Sequence, residues 1–407
     1  GISCEACHGR AQEHVRLRRQ AAADGNPPES DPIVNPAELS SHLSSQICGS
    51  CHALFNYPKG HHVHQPGAAI DTNRVHLLAL DTASRDALAA DYHEFTAEQA
   101  RTAATNDLNA YFWPDGHLRV VGREYSALRD TACHQNGDMS CLSCHRLHKP
   151  KQDPRPLKEW ADDLMSADRY SDQACVQCHE SGKFAIASHT HHDAKSSGSR
   201  CYNCHMPHTA YGLLKAVRSH TISSPDVAAE IATGRPNACN LCHLDRPLEW
   251  SADRLADWYG LPKPRLEPHS RDTAAAIVWA LRGDANLRAL AAWHLGWRPS
   301  RSAAASQEWM PPILALLMDD PYDAVRYIAH RSLMSLTGYQ NTGFDYVAPE
   351  AARRRVVEEL GRAWSNRRNP ALVDRPELLI DAAGRIEFPA LERHMNHRDH
   401  RPVQLLE

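Results

Sequence analysis

Residues 201–208 read Cys-Tyr-Asn-Cys-His-Met-Pro-His, and their first five positions form a Cys-X-X-Cys-His motif. This five-residue motif is the main feature of the sequence, because it occurs six times within the first 243 residues. The six copies are Cys4, Cys7, His8; Cys48, Cys51, His52; Cys141, Cys144, His145; Cys175, Cys178, His179; Cys201, Cys204, His205; and Cys239, Cys242, His243. Twelve of the 13 cysteines belong to these motifs.

Three interpretations compete with covalent haem for the paired cysteines. A disulfide framework needs no histidine after every second cysteine. Zinc ribbons use such pairs, but zinc gives no reason for a histidine at the next position each time. A thioredoxin-like redox pair occurs singly, beside a strand-helix-strand pattern that this sequence lacks.

Covalent c-type haem accounts for all five positions of the motif. Two thiols spaced by two residues can add to the two vinyl groups of one porphyrin, and the adjacent histidine can reach the iron as the proximal ligand. The sequence therefore predicts six covalent haem c groups, attached outside the cytoplasmic membrane, in a periplasmic or extracellular protein. The chain shows no signal peptide, and we interpret its start as a truncation.

Histidine supply indicates how the sixth position of each iron is filled. The chain has 27 histidines; six are proximal, and 15 of the others lie before residue 245. Methionine is the rival ligand, but only seven are present, so bis-histidine ligation is favoured. Our candidate distal ligands are His14, His42, His148, His191, His192, His208 and His220. The settings of His42, His61, His62, His64 and His134 are less suggestive than those of the other candidates.

Composition excludes some function classes. No run of 18 or more apolar residues occurs, so no transmembrane helix is expected in this chain. The net charge is -4, and Lys and Arg alternate with Asp and Glu, so nucleic acid is a poor partner.

Three stretches carry a resemblance to a known family: Arg200 to His208, Tyr211 to His220, and Arg235-Pro-Asn-Ala-Cys-Asn-Leu-Cys-His243. They resemble exported multihaem cytochromes c whose haem region is followed by HEAT or tetratricopeptide-type helical repeats. The resemblance covers about residues 1–260 and includes Ile2 to Gly9 with His14. Wider relatives are the cytochrome c554, nitrite reductase and hydroxylamine oxidoreductase group. Members of the family usually carry further haem sites upstream, which also favours truncation.

The motif spacing predicts a mainly α, loop-rich multihaem domain over residues 1–246, with an insert at about 53–132. Within the insert, residues 81–109 are predicted to be helical. Residues 247–407 have helical periodicity, and the segment 287–295 matches 325–333 at an offset of 38 residues. A period near 40 predicts a HEAT-like α-helical repeat domain, which more often binds a partner than catalyses.

Two function classes remain open on the sequence. The first is an electron carrier with closed irons, whose repeat region docks a redox partner, membrane-bound or another cytochrome, within an oligomer or multi-subunit complex. The second is a haem enzyme that reduces nitrite, hydroxylamine or a similar small nitrogen species. In the nitrite reductases that the chain resembles, Lys replaces the motif histidine at the active haem, and no motif here does so. We therefore favour the carrier and assign no catalytic residue. Cys133 is interpreted as a buried free thiol, with a link to another chain as the alternative.

Overall fold

The computed structural model describes residues 3–28, 30–56, 64–70, 75–77, 82–169, 171–367, 370–403 and 405. It is mainly α-helical and rich in loops, which confirms the predicted fold class. The chain divides into two compact units. The first comprises residues 1–109, 122–190 and 220–222, and the second comprises residues 110–121, 191–219 and 223–407. Within the described residues, no helix is both long and apolar enough to cross a membrane.

The first unit is built from short helices and one two-stranded sheet. Its helices are α1 Glu5–His8, α2 Gln12–Asp24, α3 Ser41–His52, α4 Thr82–Ala89, most of α5 Ala97–Tyr111, α6 Glu124–Arg129, α7 Ala132–Gln135, α8 Leu157–Asp163, α9 Gln173–Val176, α10 Ser181–Phe184 and α11 Ala187–Thr190. Short 3-10 turns cover Pro36–Glu38, Cys141–Ser143 and Ala167–Arg169. Strands β1 Phe55–Asn56 and β2 Val75–His76 pair antiparallel.

Helix α3 has a candidate ligand, His42, near its first residue and the second motif at its last residues. It begins after Ser40, whose hydroxyl accepts a hydrogen bond from the Leu43 backbone N–H at 3.4 Å and so caps the first turn. Gly49 sits against the Tyr125 ring of α6, at a distance that leaves no room for a Cβ atom. This close approach of α3 and α6 fixes the position of the motif that begins at Cys48, at the end of α3. It also fixes the position of His42, at the start of α3.

The predicted helix at residues 81–109 is two helices, α4 and α5. The interruption at residues 90–96 has a local cause. The Thr96 hydroxyl accepts from the Gln99 N–H, and the Gln99 side chain accepts from the Thr96 N–H at 3.0 Å. This reciprocal cap starts a new helix at Ala97, and the apolar spacing of residues 81–109 did not reveal it.

The second unit holds the last two motifs and the C-terminal helices. Its helices are α12 Cys201–His205, α13 Val227–Thr233, α14 Ala238–Cys242, α15 Leu248–Tyr259, α16 Pro268–Asp272, α17 Ala275–Arg282, α18 Ala285–Gly296, α19 Arg298–Ala303, α20 Met310–Leu317, α21 Asp323–Met334, α22 Glu350–Ser365 and α23 Phe388–Met395. Further 3-10 turns cover Ser197–Ser199, Pro370–Leu372 and Pro376–Leu378. Strands β3 Ala210–Gly212 and β4 Lys215–Val217 form an antiparallel hairpin.

One hydrophobic core joins the last two motifs to the C-terminal helices. Tyr211, Leu241 and Leu244, from the motif region, are at most 2% exposed and belong to the same buried cluster as Leu290 and Ile328. The predicted boundary after residue 246 therefore lies inside the second unit. A separate repeat domain over residues 247–407 stays a prediction.

The two sequence segments that match each other are the helices α18 and α21, which pack against one another. Asp284 caps α18 by accepting from the Leu287 N–H at 3.0 Å. Arg288 of α18 binds both carboxylate oxygens of Asp320, at 2.6 and 2.9 Å, with the two side chains 3% and 0% exposed. This buried pair links α18 to the turn before α21.

Replacing Arg288 with Met is expected to lower the free energy of unfolding of the second unit by about 3 kcal/mol, because Asp320 would keep a buried charge without its main partner. The matched control is Arg362→Met, which removes an exposed pair with Glu358, both 65% exposed. That control is expected to cost less than about 0.5 kcal/mol. Denaturant titration by circular dichroism measures both, and equal midpoints for the two variants would contradict the assignment.

Candidate haem-binding sites

Each Cys-X-X-Cys-His motif lies on a short helical turn. The backbone N–H of the motif histidine donates to the carbonyl of the first cysteine four residues earlier. This bond joins His8 to Cys4 at 3.0 Å, His145 to Cys141 at 3.0 Å, His179 to Cys175 at 3.0 Å and His243 to Cys239 at 2.9 Å. One helical turn thus brings two thiols and an imidazole to the same side of the backbone, as attachment to one porphyrin requires.

The cysteine side chains are thiols rather than disulfides. None of the 13 cysteines, all of which fall among the described residues, forms a disulfide. Burial raises the pKa of the Cys204 thiol to about 11, and burial together with the neighbouring Cys204 raises the pKa of Cys242 to about 12. In the part of the chain that the structure describes, no three or more His, Cys, Asp or Glu side chains converge on one metal-ion position.

Three motif histidines are oriented by a backbone carbonyl. The Nδ1–H group donates from His8 to the Val34 carbonyl at 2.7 Å, from His145 to the Asp163 carbonyl at 2.9 Å, and from His205 to the Ser223 carbonyl at 2.9 Å. A carbonyl can only accept, so the proton sits on Nδ1 and the lone pair of the ring is carried by Nε2. This is the tautomer that an iron ligand needs.

His52 is oriented by a carboxylate instead. Its Nδ1 lies 2.8 Å from Oε2 of Glu124, and this hydrogen bond raises the pKa of His52. Burial alone would raise the pKa of Glu124, but the bond from His52, the nearby His220 and the Gly122 N–H together lower it to about 2. Glu124 is therefore ionised at neutral pH, and it would make His52 more electron-donating than the three motif imidazoles that are held by carbonyls.

Three motif histidines face a second histidine at a repeated separation. The ring centroids are 6.0 Å apart for His8 and His148, 6.3 Å for His145 and His220, and 6.0 Å for His243 and His192. The interplanar angles of these pairs are 30°, 20° and 27°. Each pair combines one motif histidine with one of the predicted distal ligands.

This separation fits two imidazoles on opposite faces of one metal. An imidazole nitrogen binds a metal at about 2 Å, so two rings across one iron have centroids roughly 6 Å apart. Direct ring stacking would be much closer, as His191 shows by lying parallel to Trp258 at 4.3 Å. Burial, and to a lesser extent the nearby His192, lowers the pKa of His243 to about 4. That imidazole is therefore neutral at neutral pH and able to bind iron. The donor set therefore fits a six-coordinate haem at these three sites.

The other predicted ligands have different surroundings. His14 Nδ1 lies 2.6 Å from Oδ1 of Asp31, which leaves its Nε2 for another partner. His191 is stacked on Trp258. His208 lies among Trp293, Trp297 and His294, and burial lowers its pKa well below the usual value.

His42 and the less-favoured histidines are placed as follows. His42 faces His134 at 5.9 Å and 27°. His61 and His62 lie outside the described residues, whereas His64 lies within them and its Nε2 is buried. The ligand role of each predicted residue stays a prediction.

Motifs also lie next to one another within each unit. In the first unit the neighbouring Cys141 thiol raises the pKa of the Cys48 thiol, and the Gln177 side chain donates to the Ser143 carbonyl at 3.1 Å. His148, which faces the first motif, follows the third motif by three residues. In the second unit, burial and the neighbouring Cys204 raise the pKa of Cys239 to about 12. The second, third and fourth motifs are thus contiguous, as are the fifth and sixth.

Gly198 is a positioning residue for His192, because a Cβ atom at residue 198 would overlap the His192 ring. Replacing Gly198 with Ala is expected to displace that ring from His243 and to convert a large share of one haem from low to high spin. The matched control is Gly182→Ala, in a similar Ser-Gly turn where a Cβ meets no described residue within 4 Å. Electron paramagnetic resonance spectra of both variants check this, and indistinguishable spectra would contradict it.

No protein-family model and no curated protein matches the chain. Among solved structures, the crystal structure of the outer cell wall cytochrome OcwA is similar to 82% of this chain and 70% of that chain, with 17% sequence identity and a TM-score of 0.36. The assignment of haem sites rests on the motifs and the histidine geometry of this chain.

Proposed function

We propose that this chain is an exported electron-transfer protein that binds haem c covalently at its six motifs and closes most of the irons with two histidines. The observation that carries the proposal is the set of three histidine pairs at 6.0 to 6.3 Å. Haem, when bound, supplies an iron that accepts and releases one electron. The residues of the chain determine where each iron sits and which ligands it keeps.

The thiols and motif histidines hold each porphyrin from one side. The paired histidines hold it from the other side and reach across long stretches of sequence, such as the 140 residues from His8 to His148. Histidine on both faces lowers the haem potential relative to a methionine ligand. We therefore expect mostly low potentials.

Contiguous motifs support a path for electrons. The Cys48 and Cys141 thiols are neighbours and Gln177 contacts Ser143, so the second, third and fourth motifs lie side by side in the first unit, which supports a path through them. His148 links the first site to the third, since it faces His8 and follows His145 by three residues. Electrons that enter one of these sites can pass to a neighbour without leaving the unit.

Closed irons favour a carrier over an enzyme. A substrate such as nitrite or hydroxylamine needs an open position on the iron, and an iron with two imidazoles must first lose one. We propose that the redox partner is another protein, in the periplasm or outside the cell, and that the C-terminal helices provide the surface to which it docks. A HEAT-like stack of helices is suited to binding an extended partner surface.

Turnover measurements test the choice between the two functions. With reduced viologen as donor, the purified holoprotein should reduce nitrite and hydroxylamine no faster than a bis-histidine cytochrome of equal haem content. It should pass electrons readily to a soluble oxidant under the same conditions. Clear turnover of either nitrogen species would overturn the carrier function and favour the enzyme.

A further inference from the structure

A fourth histidine pair has the same geometry as the three at the motifs. The rings of His42 and His134 have centroids 5.9 Å apart and an interplanar angle of 27°. The other pairs span 6.0 to 6.3 Å and 20° to 30°. Neither His42 nor His134 belongs to a Cys-X-X-Cys-His motif, so none of the six haems accounts for this pair.

The sequence around His134 is a haem motif that lacks its first cysteine. Residues 130–134 read Asp-Thr-Ala-Cys-His, so Cys133 and His134 occupy the last two positions of the motif and Asp130 stands in the first. Cys133 is also the cysteine that the six motifs leave over. Its surroundings are helical, as at the other sites, because α7 spans Ala132–Gln135.

His134 has the orientation of a motif histidine. Its Nδ1–H donates to the Met139 carbonyl at 2.8 Å, as Nδ1 of His8, His145 and His205 donates to a carbonyl. Its Nε2 is buried and has no hydrogen-bond partner among the described residues, and the residue is only 8% exposed. A buried nitrogen without a partner is costly unless something binds it. Iron would satisfy it.

We propose that Cys133, His134 and His42 hold a seventh haem, attached through a single thioether. The Cys133 thiol adds across one vinyl group of the porphyrin: a sulfur–carbon bond forms, the vinyl double bond becomes single, and the thiol proton ends on the other vinyl carbon. The second vinyl group stays intact, because Asp130 carries no thiol. The addition needs no oxidant or reductant. His134 binds the iron from the side of the thioether, and His42 binds it from the opposite side.

Two residues contact the histidines of this site, and one of these contacts must change before iron can bind. The edge of Tyr125 meets the His134 ring at a centroid distance of 6.2 Å. His42 Nε2 accepts from the side-chain N–H of Gln46 at 2.6 Å, while the Gln46 carbonyl oxygen accepts from the Ile70 N–H at 2.6 Å. Binding of His42 to iron requires Gln46 to give up the first of these bonds.

The residues of the proposed seventh site lie close in sequence to the second and third motifs. His42 lies at the start of α3, which ends in the second motif, and His134 lies seven residues before Cys141 of the third motif. The Cys48 and Cys141 thiols of those two motifs are neighbours. A seventh haem would therefore extend the contiguous group of sites in the first unit.

The inference rests on the proposed haem attachment, and counting haems and thiols on one sample separates the two. The full chain is produced in a host that attaches haem c, denatured, treated with iodoacetamide and weighed by mass spectrometry. Seven covalent haems and no alkylated thiol are expected. Six haems, with Cys133 either alkylated or in a disulfide, would overturn the seventh site and leave the proposed function standing. A chain without covalent haem would overturn both.

Two substitutions sharpen the test by spectroscopy. A haem with one remaining vinyl group absorbs at longer wavelength in pyridine than one with two thioethers, so the native protein should show a red-side shoulder on its α band. Asp130→Cys completes the motif and should remove that shoulder without changing the haem number. Cys133→Ser should lower the covalent haem number by one. An α band unaltered by Asp130→Cys would overturn the proposal, and the thiol count of the native protein decides even if Cys133→Ser fails to fold.

Discussion

Replacing His148 with Ala is expected to convert one haem per chain from low to high spin. The reason is geometric, because the His148 ring lies across from His8 at the separation of two ligands on one metal. The same outcome is expected for His220→Ala and His192→Ala, each at a different haem, since these rings face His145 and His243. The potential of the affected haem should rise, because it loses an electron-donating imidazole. Electron paramagnetic resonance of the oxidised protein measures the spin change.

The control for this series is His93→Ala, at an exposed histidine on the loop between α4 and α5. It should leave every haem low spin. Free imidazole should restore the low-spin signal in the His148, His220 and His192 variants, because it can occupy the site of the deleted ring. Low-spin spectra in all three variants without added imidazole would mean that these rings are not ligands. The same assay applied to His14, His191 and His208 decides their predicted roles.

Truncation after residue 246 is expected to disrupt the sites of the fifth and sixth motifs. It removes the helices against which Tyr211, Leu241 and Leu244 are buried, and each of these side chains is at most 2% exposed. Exposing a large apolar side chain costs about 1.5 to 3 kcal/mol, so exposing these three costs an amount comparable to the stability of a typical domain. The His192 and His243 site should become high spin, and residues 191–246 should become sensitive to protease.

The first unit provides an internal control within the truncated protein. Its core lies outside the deleted segment, so the His8 and His148 site should remain low spin. Haem number is not the readout, because thioether bonds persist in an unfolded chain. Native spectra at all sites after truncation would contradict the shared core and would support the independent C-terminal domain that the sequence predicts.

Local features of this protein could be predicted from its sequence. The turn at each motif is encoded within five residues, and the helices at residues 285–296 and 323–334 follow from the apolar repeat at an offset of 38 residues. The pairing of His8 with His148 could not be predicted, because tertiary packing brings together residues 140 positions apart. The break between α4 and α5 was missed because the Thr96 cap outweighs the Ala-rich spacing around it.

The pairing of His42 with His134 could not be predicted from the complete motifs alone. Cys133 lies outside every complete motif, and His42 and His134 have less suggestive sequence settings than the other histidines. The sequence signal was the Cys-His dipeptide at residues 133–134, which keeps the last two positions of the motif. Only the geometry of the His42 and His134 rings gives that dipeptide a partner.

Addition of carbon monoxide to the fully reduced holoprotein tests the central claim most directly. Carbon monoxide binds ferrous haem where a coordination position is open, and two histidine ligands leave none. If the histidine pairs close their irons, at least half of the Soret absorbance should stay unchanged after minutes under the gas. A shift of the entire Soret band would show open irons throughout and would contradict the account of this chain as a carrier with closed haems.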